Sequence, residues 1–128
     1  IKGYTGHELI GRYADYSTEG KAKSDEEVEA FFNDYLKTVK PEFIIVQYGS
    51  SDDQFHKYGP YSDEAREAVI KADLWLLRCI NNLKAESYGI MILADHGQHN
   101  NENKDSHHLG THGGDTDEDC IVPFTWTR

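Results

Sequence analysis

Five aspartate and histidine residues that could bind a divalent metal fall into three short groups. Asp52 and His56 stand four residues apart, Asp95 and His96 are adjacent, and His112 is followed by two glycines. A spacing of four lets both side chains of the first group reach one ion from a single turn of backbone. Carboxylate oxygens combined with imidazole nitrogens are the ligands expected for zinc or a similar borderline cation. The three groups therefore predict a metal site.

The first two groups follow apolar segments that predict β-strands. Residues 43–48 (FIIVQY) and 90–94 (IMILA) are short, apolar and bounded by polar residues, which is typical of buried parallel strands. Between them, Ser62 is placed to cap a long helix over residues 63–83. Strand, helix and strand in this order predict a right-handed β–α–β unit and hence an α/β fold with a partial doubly wound, mainly parallel sheet. Because such sheets bind ligands at the carboxyl ends of their strands, the metal-binding residues are expected to meet there.

The remaining segments complete the predicted architecture. Ser24 followed by Glu27 is a capping-box pattern, and it predicts a helix over residues 25–39 that Pro41 ends. A last strand is expected over residues 121–127, with Pro123 placing it at an edge or ending it early. Loops are predicted for three polar or glycine-rich segments, residues 1–23, 49–60 and 97–119.

The composition limits the classes of partner. The chain has 128 residues, 38% of them hydrophobic, and we expect one domain over residues 1–128. A net charge of −10 argues against binding to duplex nucleic acid or an anionic membrane, because both favour a basic surface. The sequence contains no apolar run of about 18 residues, so no membrane span is expected. Bound divalent ions would reverse the local sign of the charge and allow an anionic substrate to bind.

Two further features are interpreted as structural. His99, His107 and His108 could contact a substrate or a third ion, but the favoured interpretation is that they are exposed loop histidines. The acidic run at residues 115–119 looks like the start of a calcium-binding loop. It lacks the glycine needed at the sixth position, and Trp126 stands where the twelfth position requires a bidentate glutamate. We therefore reject a calcium site.

The ordered groups resemble the metal motifs of the alkaline phosphatase superfamily, and most closely those of type I phosphodiesterase/nucleotide pyrophosphatases. The matching segments are residues 52–60 (DDQFHKYGP), 94–97 (ADHG), 111–114 (THGG) and 121–124 (IVPF). The resemblance covers about residues 42–125. It implies an alkaline-phosphatase-like sheet, of which this chain would be a C-terminal, metal-binding part.

The resemblance also implies a ligand set and a reaction. Asp52, His56 and His112 would share one zinc, and Asp95 and His96 would contribute to a second site. Two divalent ions would then serve hydrolysis of a phosphate ester or anhydride in a nucleotide-like small molecule. Relatives are commonly secreted, periplasmic or anchored outside the cell, so an extracytoplasmic location is favoured.

The chain departs from the family pattern in two places. Phe55 stands where a glycine usually precedes the first histidine, which leaves Asp53 as an alternative to Asp52, although the spacing favours Asp52. An upstream aspartate ligand and a nucleophile are also expected in this family, yet Thr5, Asp15 and Thr18 lie in no strand-then-helix context. The catalytic residue is therefore unknown, and the chain is expected to lack the nucleophile segment. The alternatives are another branch of the superfamily, such as a phosphomonoesterase, sulfatase, phosphonate hydrolase or phosphoglycerate mutase, or a non-catalytic metal-binding fragment.

Overall fold

A computed structural model describes residues 13–18, 24–103 and 105–127. Their helices and strands, in chain order, are α1 (Asp25–Thr38), α2 (Ser50–Tyr58), α3 (Asp63–Ala85), β1 (Ile90–Leu93), β2 (His99–Asn100), β3 (Gly110–Thr111), α4 (Asp117–Cys120) and β4 (Phe124–Thr127). Most of the predicted loop at residues 1–23, including Thr5, lies outside the described residues. The chain divides into two compact units, Ile1–Ser50 and Ser51–Arg128. The prediction of a single domain remains a prediction.

Helix α1 of the first unit forms where its cap predicts it. The side chain of Ser24 accepts a hydrogen bond from the amide of Glu27 at 3.3 Å, which satisfies one of the free donors of the first turn. Val28, Phe32 and Leu36 recur at intervals of four and form its buried face. The predicted helix over residues 25–39 is confirmed to within one residue.

The predicted strand over residues 43–48 is wrong. These residues form no strand in the structure, and Phe43 is 78% exposed. A strand needs a neighbouring strand to pair its backbone groups, and no strand in the described part of the chain pairs with these residues. An apolar run bounded by polar residues does not carry that information.

Asp25, the first residue of α1, is hydrogen-bonded to the backbone of Gly49 and Ser50. Its side chain is almost fully buried, at 1% residue exposure, and its two oxygens accept hydrogen bonds from the amides of Gly49 at 2.9 Å and Ser50 at 3.0 Å. These amides lie at the start of α2, where a helix leaves donors free and an acidic group is favourable. Residues 49–60 were predicted as a loop, and that prediction is wrong because most of this segment is helical.

Helix α3 of the second unit is confirmed, with Ser62 as its cap. The Ser62 hydroxyl accepts from the amide of Ala65 at 3.1 Å. Its buried side is formed by Ala65, Trp75 and Cys79. The other apolar stripe, which includes Leu74, is about half exposed. None of the helices in the described part of the chain is both long and apolar enough to cross a membrane.

The strands are short and pair antiparallel. β1 pairs with β4, placing Ile90 opposite Thr127 and Leu93 opposite Phe124, and β2 pairs with β3. The predicted mixture of helix and strand is confirmed. The predicted β–α–β unit and doubly wound parallel sheet are not found among the described residues, because the first predicted strand does not form and the second takes an antiparallel partner. The final strand begins directly after Pro123, as a residue without an amide hydrogen favours.

Candidate metal centre

Asp52 and His56 lie on successive turns of α2, which places both side chains on one face of the helix. The Nε2 atom of His56 is 3.4 Å from Oδ1 of Asp52. The Nδ1 atom of His56 lies 3.0 Å from the carbonyl oxygen of Gly110, and a carbonyl can only accept. Nδ1 therefore carries the proton in this hydrogen bond, and in the neutral ring Nε2 keeps the lone pair that a metal requires.

The short strand β3 brings His112 to the same carboxylate. The Nε2 atom of His112 is 3.7 Å from Oδ1 of Asp52. β3 lies directly against the backbone of α2, because the Leu109 amide donates to the His56 carbonyl at 2.8 Å. A Cβ at Gly110 would overlap the carbonyl oxygen of Phe55, so only glycine permits this approach.

Asp95 and His96 follow β1, as predicted, and His96 joins the cluster. Its ring stacks on that of His112, with centroids 3.7 Å apart and planes inclined by 20°. The Nδ1 atom of His96 lies 2.9 Å from the carbonyl oxygen of Gly97, which again leaves Nε2 with the lone pair. Asp95 is more exposed, and its Oδ1 is 3.8 Å from Nε2 of His96.

The donor atoms fit a divalent ion. In a tetrahedral zinc site with ligands at about 2.0–2.1 Å, neighbouring donor atoms are roughly 3.4 Å apart. The separations of 3.4 and 3.7 Å between Asp52 and its two histidines are close to that value. Asp52, His96 and His112 also offer one ligand atom each within 4.8 Å of one another. A carboxylate with two imidazoles is a donor set that zinc accepts.

All five predicted ligands thus lie in one connected cluster of the second unit. Asp52, rather than its neighbour Asp53, contacts the histidines. The grouping differs from the one that the resemblance implies, because His96 lies on His112 and belongs to the tight group with Asp52. The division of the five residues between two ions remains a prediction.

The surroundings of His112 lower its pKa. The largest cause is desolvation by burial, and the neighbouring His96 also disfavours a second positive charge, while Asp52 opposes both effects. A lowered pKa favours the neutral imidazole, which is the form that binds a metal.

We expect the metal-free chain to lose stability as the pH falls below 6.5, which is the ordinary pKa of a histidine side chain and hence of His112 in the unfolded chain. In that range the unfolded His112 takes up a proton more readily than the folded one, so acid favours the unfolded state. Thermal unfolding measured from neutral pH down to about pH 5, in wild type and in a His112→Gln variant, tests this expectation. The midpoint temperature of unfolding should fall less steeply with decreasing pH in the variant. Identical slopes in the two proteins would contradict the lowered pKa of His112.

Gln98 and Asp119 also contribute to the site, and the sequence pattern singles out neither of them. Gln98 donates from Nε2 to Oδ1 of Asp52 at 3.3 Å. Asp119, whose side chain is only 2% exposed, receives Nδ1–H of His99 at 2.8 Å and the amide of Gly114 at 2.7 Å. The hydrogen bond from His99 is the main reason that the pKa of Asp119 is lowered. His99 is therefore a paired, half-buried residue of β2, and its interpretation as an exposed loop histidine is wrong.

The strand pairing and side-chain contacts within residues 97–119 could not be predicted from residue type. Residues 97–119 were predicted to lack secondary structure, but β2, β3 and α4 lie within or across this range. His107 and His108 are exposed, as predicted, and the ring of His108 lies edge-on to that of His56 at 5.4 Å. No described residue is assigned as nucleophile.

Comparison with protein families gives a match over most of the chain. The model of the family described as Type I phosphodiesterase / nucleotide pyrophosphatase matches residues 3–117, which include all five candidate ligands. Comparisons with curated proteins and with solved structures give no significant match.

Proposed function

Because the chain belongs to the type I phosphodiesterase/nucleotide pyrophosphatase family of the alkaline phosphatase superfamily, we propose that it supplies the metal-binding residues of a hydrolase of phosphate esters or anhydrides. The observation that carries the proposal is the group formed by Asp52, His96 and His112, whose donor atoms lie within 4.8 Å of one another. Family membership supports the class of reaction, and this group supports the choice of the site.

The ligand roles in this proposal are the ones that the resemblance implies. Asp52, His56 and His112 hold one divalent ion, and Asp95 and His96 contribute to a second. Zinc is the proposed metal, because imidazole and carboxylate donors suit it. When bound, such ions polarise phosphoryl oxygens and offset the negative charge that develops during an in-line displacement.

The chain's own residues prepare this site before any ion binds. The carbonyl oxygens of Gly110 and Gly97 hold the protons of His56 and His96 on Nδ1 and leave Nε2 free to bind. The lowered pKa of His112 keeps its ring neutral at physiological pH. In a chain with a net charge of −10, an anionic phosphate would otherwise be repelled, so substrate binding should require the metal.

The test of the proposal is the metal dependence of phosphate binding. We expect the zinc-loaded chain to bind AMP and not adenosine in calorimetric titrations, and we expect a chelator to abolish the binding. AMP binding that is absent with zinc, or equally strong without it, would overturn the proposal. Chelator-sensitive release of 4-nitrophenol from bis(4-nitrophenyl) phosphate would further show that this chain catalyses the reaction by itself.

A further inference from the structure

The carboxamide of Gln98 contacts the same carboxylate oxygen as the two candidate histidine ligands. Its Nε2 lies 3.3 Å from Oδ1 of Asp52, while the Nε2 atoms of His56 and His112 are 3.4 and 3.7 Å from that oxygen. The histidines offer lone pairs to an ion, whereas the Gln98 nitrogen carries hydrogens and can only donate. Its contact with Asp52 therefore acts on the ligand and not on the metal.

The orientation of the amide follows from its partner. A carboxylate has no hydrogen to offer, so turning the amide over would place Oε1 against Oδ1 of Asp52 as two facing acceptors. The arrangement with Nε2 toward Asp52 is the one that forms a hydrogen bond, and that bond is assisted by the charge of the carboxylate.

The backbone on both sides of Gln98 is fixed. The amide of Gly97 donates to the carbonyl of Asp119 at 2.8 Å, and His99 pairs with Thr111 in the β2–β3 ladder. Gln98 itself is only 8% exposed. Its rotamer freedom is therefore lost on folding, and no further ordering is needed when an ion binds.

A buried glutamine at this position lowers the stability of the fold unless its amide groups form hydrogen bonds. The Oε1 atom of Gln98 is buried and has no hydrogen-bond partner among the described residues. An unsatisfied buried acceptor costs about 1–3 kcal/mol, whereas an apolar side chain of the same length would fill the space without that cost. The structure thus retains a costly polar group, and the hydrogen bond that its side chain makes among the described residues is the one to Asp52.

We propose that Gln98 is a positioning residue of the metal centre, which holds the Asp52 carboxylate in the orientation that binds the ion. This inference rests on the proposed function, because it takes Asp52 as a metal ligand. Partners that orient a ligand in this way typically contribute about 10–100-fold to metal affinity.

The test compares zinc affinity with stability in a Gln98→Met variant of the 128-residue chain. Zinc affinity, measured by competition with a chelating indicator, should fall by about 10–100-fold. Thermal stability of the metal-free variant should be unchanged or higher, since the substitution removes the unsatisfied oxygen and Asp52 is exposed enough for water to replace the lost donor. The visible spectrum of the cobalt-loaded variant should also shift, because a ligand has changed its orientation.

Two further variants complete the test. Gln98→Asn keeps the amide but shortens the side chain by one methylene, so we expect the same loss of zinc affinity. Gln54→Met makes the same change on α2, the helix that carries Asp52, and should leave the affinity unaltered. Wild-type zinc affinity in both Gln98 variants would overturn the inference while leaving the proposed function standing. Absence of zinc binding by the wild type would overturn the proposed function itself. Gln98 variants that do not fold, or that lose stability without metal, would assign Gln98 to the fold and overturn the inference as well.

Discussion

An Asp52→Ala variant is expected to lose zinc binding, with an affinity at least about 100-fold below that of the wild type. A structural zinc site contributes about 10–16 kcal/mol through four ligands, so removing one ligand costs roughly 3 kcal/mol, which corresponds to about 100-fold. The effect should be larger than for any other single ligand, because Oδ1 of Asp52 is the atom on which His56, His112 and Gln98 all converge. Removing the carboxylate also removes the attraction that raises the pKa of His112, so that pKa should fall further.

Asp53→Ala is the matched control for this prediction. Asp53 is the next residue of α2, it is exposed, and its replacement changes the net charge by the same amount. Metal content after dialysis, measured by elemental analysis, should be normal in Asp53→Ala and close to background in Asp52→Ala. The reverse result would make Asp53 the ligand and would show that the geometry of α2 is misassigned. Equal retention of zinc in both variants would show that neither aspartate is a metal ligand and would contradict the proposed site.

The helices could be predicted because their signals are local. Ser24 and Ser62 each lie immediately before an apolar periodicity of about 3.6, and each caps the helix that the pattern predicts. Helix α2 was missed because the residue that bonds its first amides, Asp25, lies 25 positions before Ser50. The acidic residues in its first turn and the basic ones in its last turn agree with a helix dipole, and they were the available local signal.

The strands were harder because pairing is not local. An apolar run at residues 43–48 satisfies every compositional rule for a strand, yet a strand exists only where a second one pairs with it. The antiparallel pairing of β1 with β4 depends on chain segments that are more than 30 residues apart. Periodicity contains no information about which partner is chosen or in which direction it runs.

The candidate site shows the same division between local and distant information. The five candidate ligands could be named from residue type and motif, and in the structure Asp52, His56, His96 and His112 lie close together with Asp95 beside His96. The stacking of His96 on His112 and the contributions of Gln98 and Asp119 are products of tertiary geometry. Asp119 in particular stands in an acidic run that has no special feature, and only the fold shows that it bonds both His99 and Gly114.

A Gly97→Ala variant is expected to lose about 1–3 kcal/mol of unfolding free energy, or more, and to bind zinc weakly. A Cβ at this position would overlap the carbonyl oxygen of Glu118 and would lie 2.9 Å from its carbonyl carbon. These are backbone atoms, and the amide of Gly97 is bonded to the next carbonyl, that of Asp119, so neither side can give way without breaking this contact. The displaced segment lies between His96 and Gln98, and moving it would disturb a ligand together with the donor that orients Asp52.

Gly89→Ala is the control for that substitution. A Cβ at Gly89 would meet no atom within 4 Å, so its replacement should change stability by no more than about 0.5 kcal/mol. Urea unfolding of the metal-free variants measures the change in stability alone. Zinc titration of the folded fraction then shows whether the substitution also lowers zinc affinity. Equal stability of the two variants would mean that Gly97 does not lie against the backbone of α4. If Gly97→Ala were destabilised but bound zinc normally, the contact would support the fold without shaping the metal centre, since its neighbours His96 and Gln98 would then have kept their positions.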